Sequence, residues 1–278
     1  MPRKKTRVAI IYDFDKTLAT TDMQNYNFIP NVGLTPPEFW GLTGKFCSET
    51  HCDKILGYMF MMLKTAKDAG IPLTRKFLND CAKDVVLFPG VDTWFERINE
   101  YALERGIIVE HYICSSGNRE IIEGTTIAKY FKKIFGCEFV YDHTSKLAIW
   151  PKTAINYTQK TQYLYRISKG VLNVKDDEKV NEKIKKKRIE FRNMIYIGDG
   201  ITDVPCMEIV KNAGGHAIAI MSENKEVTKR LENDKRVQFI VKPDYREASK
   251  LDKMVKKVID LIQDQSYLDL YDKLKEKN

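Results

Sequence analysis

The stretch that decides the fold is Arg7-Val8-Ala9-Ile10-Ile11-Tyr12 followed by Asp13-Phe14-Asp15-Lys16-Thr17-Leu18. Its first half is a short, β-branched apolar run, the pattern of a strand buried on both faces. Its second half places two carboxylates directly beyond that strand. In open α/β sheets ligands bind outside the carboxyl ends of strands, so these acids arrive where chemistry is expected. Two carboxylates this close are costly to ionise together without a cation. A hard divalent ion and a division of labour solve the problem. Asp13 stays ionised as metal ligand and nucleophile, while Asp15 protonates the leaving oxygen and later takes a proton from the attacking water. A surface turn with two acids is the plain alternative.

Working outward, strand and helix alternate. Val91 to Arg105 is amphipathic and helical, Ile107 to Cys114 is strand-like, Arg119 to Lys133 helical, and Cys137 to Tyr141 a strand. Leu147 to Tyr157, with Trp150-Pro151, reads as a short hairpin or irregular excursion. Helices follow over Thr161 to Lys169 and Asp176 to Lys187, then a strand over Met194 to Ile197, a helix over Val204 to Lys211, and strands over Gly215 to Ile220 and Val237 to Val241. A terminal helix spans Ser249 to Gln263. This alternation predicts an α/β fold, a Rossmann-like doubly wound parallel sheet. Residues 19–86 break the rhythm. Thr35-Pro36-Pro37-Glu38 is a capping box with proline at the first helical positions. Asp53 to Asp68 has helical length and ends near Gly70, and Thr74 opens another helix to about Asp84. The expected organisation is a core of residues 1–18 and 87–278 with a helical insert over 19–86.

A second acidic cluster, Gly198-Asp199-Gly200-Ile201-Thr202-Asp203, follows the strand Met194-Ile195-Tyr196-Ile197. Its glycines permit a tight turn, Asp199 is placed to point back at the metal, and Asp203 falls at a helix start. A helix cap with a favourable first-turn acid explains Asp203, but not why acids gather at a second strand end.

Together, Asp13-x-Asp15-x-Thr17 and Gly198-Asp199-Gly200-x-x-Asp203 resemble the haloacid dehalogenase superfamily, in its phosphoserine-phosphatase-like branch. The resemblance implies two smaller motifs. The Ser or Thr at the end of the second core strand falls on Ser115 in Ile113-Cys114-Ser115-Ser116-Gly117-Asn118-Arg119, with Ser116 where phosphoserine phosphatases usually have glycine. Ser115 also reads as a helix N-cap. The lysine between the second and fourth motifs fits Lys160 best, in Thr158-Gln159-Lys160-Thr161-Gln162, with Lys146 and Lys169 as alternatives. The implied scheme is a phosphomonoester hydrolase that passes through an aspartyl-phosphate. Ser115 and Lys160 would stabilise the phosphoryl oxygens, and Thr17, Ser116 and Gly117 would contact substrate. Magnesium suits the implied ligands, which are all oxygen: the Asp13 and Asp199 carboxylates, the Asp15 carbonyl, phosphate and water. Asp203 completes the acidic set by fixing Lys160 or a metal-bound water. The insert over 19–86 sits where this family carries a cap. Its residues Phe39, Trp40, Phe46, Tyr58, Met59, Phe60, Met61 and Met62 offer a substrate pocket as one reading, but are expected mainly as the cap's own core.

Composition narrows the alternatives. Of 278 residues, 43% are hydrophobic and 30% charged, a globular balance. No apolar run approaches the roughly 20 residues of a membrane span, which argues against an ion pump with the same chemistry. The run after Met1-Pro2-Arg3-Lys4-Lys5 is too short for a signal-peptide core, so a cytoplasmic chain is expected. The six cysteines read as reduced thiols, and Cys47-x-x-x-His51-Cys52 lacks a second ligand pair at zinc spacing. The net charge of +8 favours anionic substrates. Nucleic acid is not expected, because Lys185-Lys186-Lys187-Arg188 continues a mixed-charge run without interleaved aromatics. A halide leaving group would need no acid such as Asp15. A phosphotransferase would use the same residues. A polyanion- or RNA-binding module on a retired core is the non-catalytic alternative, and intact acids at 13, 15, 199 and 203 argue against it.

Overall fold

In the computed structural model, which describes residues 5–221 and 225–275, the apolar run before Asp13 becomes β1 (Thr6–Tyr12), buried from Val8 to Tyr12. Burial on both sides makes it the middle strand of seven, in the order β4-β3-β2-β1-β5-β6-β7. The others are β2 (Ile107–Asn118), β3 (Phe131–Tyr141), β4 (Ala148–Thr153), β5 (Met194–Gly198), β6 (His216–Ile220) and β7 (Phe239–Val241). Every neighbouring pair is parallel except β3 with β4, which is the hairpin at the sheet edge. The chain leaves β1 toward β2 on one side and returns to β5 on the other, so the β1–β5 junction is a topological switch point. Tyr12 pairs with Ile113 on one flank and Ile197 on the other. That register brings the residues that follow, Asp13, Ser115 and Asp199, to one end of the sheet.

Between β1 and the amphipathic helix α5 (Val91–Glu104) the chain is helical. Here lie α1 (Phe28–Asn31), α2 (Pro36–Thr50), α3 (Lys54–Asp68) and α4 (Arg75–Asp80), with single 3-10 turns at Met23–Asn25 and Cys81–Asp84. Glu38 accepts the Thr35 amide at 2.8 Å, closing the start of α2 as its sequence predicts. Phe39, Tyr58, Met59, Met61 and Met62 are buried, whereas Phe60 is exposed and stacks on Phe46. The two crossings of this segment run side by side: Thr20 donates to the Val86 carbonyl and Phe88 to that of Leu18, both at 2.9 Å.

The remaining helices are α5 (Val91–Glu104), α6 (Arg119–Gly124), α7 (Gln159–Lys169), α8 (Asp177–Asn181), α9 (Val204–Asn212), α10 (Lys225–Asn233) and α11 (Lys250–Lys275). α5 and α11 pack together against β2 and β1, and α7 and α9 against β2, β5 and β6. Several boundaries differ from the sequence reading. The helix expected over Arg119 to Lys133 stops at Gly124, where a Cβ would lie 2.2 Å from the Asn79 carbonyl, and β3 already begins at Phe131. The helix expected over Asp176 to Lys187 is only α8, which buries no residue and so has no packing to extend it. β2 runs on through Ser115, Ser116 and Gly117, so Ser115 is a strand residue and Asn118 takes the N-cap position of α6.

Candidate active site

Asp13 is the first residue beyond β1, and its amide donates to the Ile197 carbonyl at 2.9 Å, fixing it against β5. Its Oδ1 accepts the Phe14 amide at 2.7 Å, which leaves Oδ2 toward the site. Lys160, in the first turn of α7, is fully buried. Its Nζ stands 3.0 Å from Asp13 Oδ2 and 2.8 Å from Asp203 Oδ1. The Tyr196 hydroxyl donates to the same Asp203 oxygen at 2.7 Å, and the Gly200 amide to Oδ2 at 3.2 Å. Gly198 permits this closeness, since a Cβ there would come within 2.5 Å of the Asp203 carboxylate. Thr17 donates its hydroxyl to Asp199 Oδ1 at 3.4 Å. Among the described residues, Asp13, Asp199 and Asp203 form the group whose carboxylate oxygens lie within 4.8 Å of one another.

The electrostatics are those of excess negative charge out of water. Burial, with Asp203 and Asp13 adding to it, pushes the Asp199 carboxyl up to about 8. Burial and Asp13 push Asp203 up to about 6. Burial alone would lower the Lys160 ammonium, but Asp13 and Asp203 outweigh it and hold Lys160 charged well above its usual range. One ammonium among three buried carboxylates leaves an uncompensated, all-oxygen donor set, the kind a hard divalent cation takes. The residues present therefore fit magnesium.

Asp15 does not join that trio. Its Oδ1 accepts the Met23 amide at 2.8 Å, and Oδ2 lies where a Cβ on Gly117 would come within 2.9 Å. Burial, then Asp22 and Asp13, push this carboxyl well above the usual range. Ser115 is buried, and its Oγ accepts the Gly117 amide at 3.0 Å. Among the described residues the buried Ser116 hydroxyl has no hydrogen-bond partner, while the Ser116 carbonyl accepts the Tyr58 hydroxyl at 2.8 Å. Asp15, Ser116 and Gly117 open onto a cavity of about 530 Å3 walled by α2 and α3.

The alternative lysines lie elsewhere. Lys146 donates to the His143 carbonyl in the β3–β4 turn, and Lys169 to that of Glu182 at 2.7 Å. Cys47, His51 and Cys52 do not gather as ligands: His51 ends α2 in the left-handed conformation, and all six thiols are free. Tyr196 escaped the sequence reading because it sits in an apolar pattern where only packing is visible, and Tyr58 was read there mainly as a core residue of the insert. Tyr196 could have been flagged by its place two residues before Gly198, on a strand leading into acids.

The family model of haloacid dehalogenase-like hydrolases matches residues 10–208. An uncharacterised protein of Borreliella burgdorferi is 28% identical over 279 residues, covering 90% of this chain and 96% of its own length. A substrate-bound phosphoserine phosphatase superposes with a TM-score of 0.55 at 15% identity, over 88% of this chain and 97% of its own. A HAD family hydrolase of Salmonella enterica serovar Typhi gives 0.56 at 17% identity, over 86% of this chain and 69% of its own. At such identities the structural likeness is one of fold.

Proposed function

The chain belongs to the haloacid dehalogenase-like hydrolase family, and from that footing we propose that it is a magnesium-dependent phosphomonoester hydrolase acting through a phosphorylated Asp13. One observation carries the reading: Lys160 Nζ is held between Asp13 and Asp203 at the β1–β5 junction, 3.0 Å and 2.8 Å away. A buried ammonium on the carboxylate that must attack a dianion offsets charge where it builds up.

Asp13 Oδ2 forms a bond to phosphorus as the bond to the alcohol oxygen breaks. Asp15 gives its proton to that departing oxygen, so the free alcohol and an ionised Asp15 result. Water then attacks the phosphorus of the Asp13 acyl phosphate, and Asp15 takes a proton from it. Inorganic phosphate leaves, with Asp13 ionised and Asp15 protonated as at the start. Asp15 suits this part because burial and its acidic neighbours favour its neutral form. Lys160, Ser115 and Thr17 hold the phosphoryl oxygens and the acids around them, and Asp203 positions Lys160. Asp13, Asp199 and the Asp15 carbonyl would hold magnesium, with Asp203 behind them; the ion, when bound, supplies positive charge to the transferring group.

In this scheme residues 1–18 and 87–278 are the catalytic core. Residues 19–86 are a cap that excludes water and contacts a small phosphorylated substrate. Six free thiols suit a cytoplasmic setting. Magnesium-dependent release of phosphate from p-nitrophenyl phosphate tests the reading, with Asp13→Asn as control. Release is expected with the native chain, and none above background with EDTA or with the variant. Release that survives Asp13→Asn would refute it.

A further inference from the structure

Resting on the phosphatase reading above, we propose that the alcohol released from phosphate carries a flat ring and no ammonium group, and seats against Trp40 and Tyr58. The cavity of about 530 Å3 opens on Asp15, so the group that departs from phosphorus beside Asp15 must occupy it. Trp40 and Tyr58 stand with ring centroids 6.2 Å apart at 64°. Their polar atoms are already engaged: the Trp40 indole N–H donates to Asn25 Oδ1 at 2.8 Å and the Tyr58 hydroxyl to the Ser116 carbonyl at 2.8 Å. Pinned in this way, half-buried Trp40 turns ring surface to the cavity, largely buried Tyr58 closes the wall behind it with little surface of its own, and Ile55 and Cys47 add apolar wall beside them.

The charges around the cavity point the same way. Lys16 holds both oxygens of Asp22, at 2.9 Å and 2.7 Å, so this carboxylate is not free for a ligand. Lys54, the first residue of α3, lines the same cavity and among the described residues has no carboxylate within ion-pair distance. A leaving group with an ammonium would lose its water, find no free anion beyond the general acid, and meet Lys54. Two crossed rings do not enclose an ammonium, and cation–π attraction to them competes with that repulsion. A ring-bearing alcohol loses nothing polar and gains stacking.

The test compares kcat/KM of the native chain, with magnesium, on 2-phenylethyl phosphate, O-phosphoethanolamine and phosphocholine. All three release a 2-substituted ethanol, so the cleaved end is the same. Acetyl phosphate, whose leaving group reaches little of the cavity, is run alongside. The ring-bearing ester is expected to exceed both ammonium esters by on the order of 10²-fold. Trp40→Leu is expected to shrink that ratio about tenfold or more, mainly through KM. Equal rates, or preference for an ammonium ester, with acetyl phosphate still hydrolysed, would overturn the substrate class alone. Release of phosphate from none of these compounds, nor from p-nitrophenyl phosphate, would overturn the phosphatase reading and this inference with it. Should Trp40→Leu not fold, the ratio measured on the native chain still decides.

Discussion

Asp13 and Asp15 share one loop, yet they meet different surroundings. Asp13 has Lys160 against one oxygen and the Phe14 amide against the other. Asp15 faces Met23 and Gly117 and, among the described residues, forms no ion pair. The division of labour between them follows from this contrast. Asp13→Asn should therefore lower phosphate release by more than about 10³-fold at little cost in stability, checked by steady-state assay and melting temperature. Asp15→Asn should suffer far more with alkyl esters than with p-nitrophenyl phosphate, whose leaving group needs no proton; equal losses on both would remove its role as acid. Gly117→Ala would drive a methyl to 2.1 Å from Met23 Cε and 2.9 Å from Asp15 Oδ2. Met23 is flexible and can yield, so the variant should fold while losing at least tenfold in kcat through a displaced Asp15. At this scale the paired acids were legible in the sequence, since spacing alone sets them at strand ends. Lys160 was legible only through the family resemblance, as the best of three lysines, because the packing of α7 against β2 that brings it to Asp13 leaves no local mark.

At the scale of elements, caps and strand ends decide what reaches the site. Asp53 caps α3, accepting the Ile55 amide at 2.9 Å and that of Leu56 at 3.1 Å, and its second oxygen takes the Asn156 side chain from beyond β4. Since α3 carries Lys54 and Tyr58 to the cavity, Asp53→Ala should cost about 1 kcal/mol in urea unfolding. It should also raise KM more than it lowers kcat. The elements that the sequence made plain are those with strong period or punctuation, such as β1, α3 and α5. The misread ones had neither. Arg119 to Lys133 looks helical by composition, but the turn at Gly124 is imposed by the backbone of α4, a contact between segments far apart in sequence. Residues 176–187 have helical propensity without a face to bury, and tertiary packing decides such cases. Strand β2 hides its length because Ser115, Ser116 and Gly117 look like a loop until β3 is set beside them.

Across the whole molecule, the acidic cluster ties stability to pH and to the metal. The Asp199 and Asp203 carboxyls sit at about 8 and about 6, above their ordinary value of 3.8. The folded chain therefore holds protons that the unfolded chain has lost, and the stability these groups contribute falls as pH rises from about 4 toward 8. The EDTA-treated protein should melt at progressively lower temperature over that interval. Magnesium binds the folded form and needs ionised carboxylates, so it should restore more at about pH 8 than at about pH 5. A melting temperature indifferent to pH and magnesium would contradict this. The architecture that gathers the cluster was readable from strand–helix alternation, and a hairpin near Leu147 to Tyr157 in outline, whereas the pairing of β4 with β3 and the length of α11 depended on partners that local sequence does not name.

The most direct measurement follows the phosphoryl group itself. The native chain is mixed with radiolabelled acetyl phosphate and magnesium, quenched in acid during turnover, digested, and the labelled peptide sequenced. Label is expected on the peptide containing Asp13, removable by hydroxylamine as an acyl phosphate and absent from Asp13→Asn. Turnover with no protein-bound label at any quench time, or label on another residue, would contradict attack by Asp13 on phosphorus.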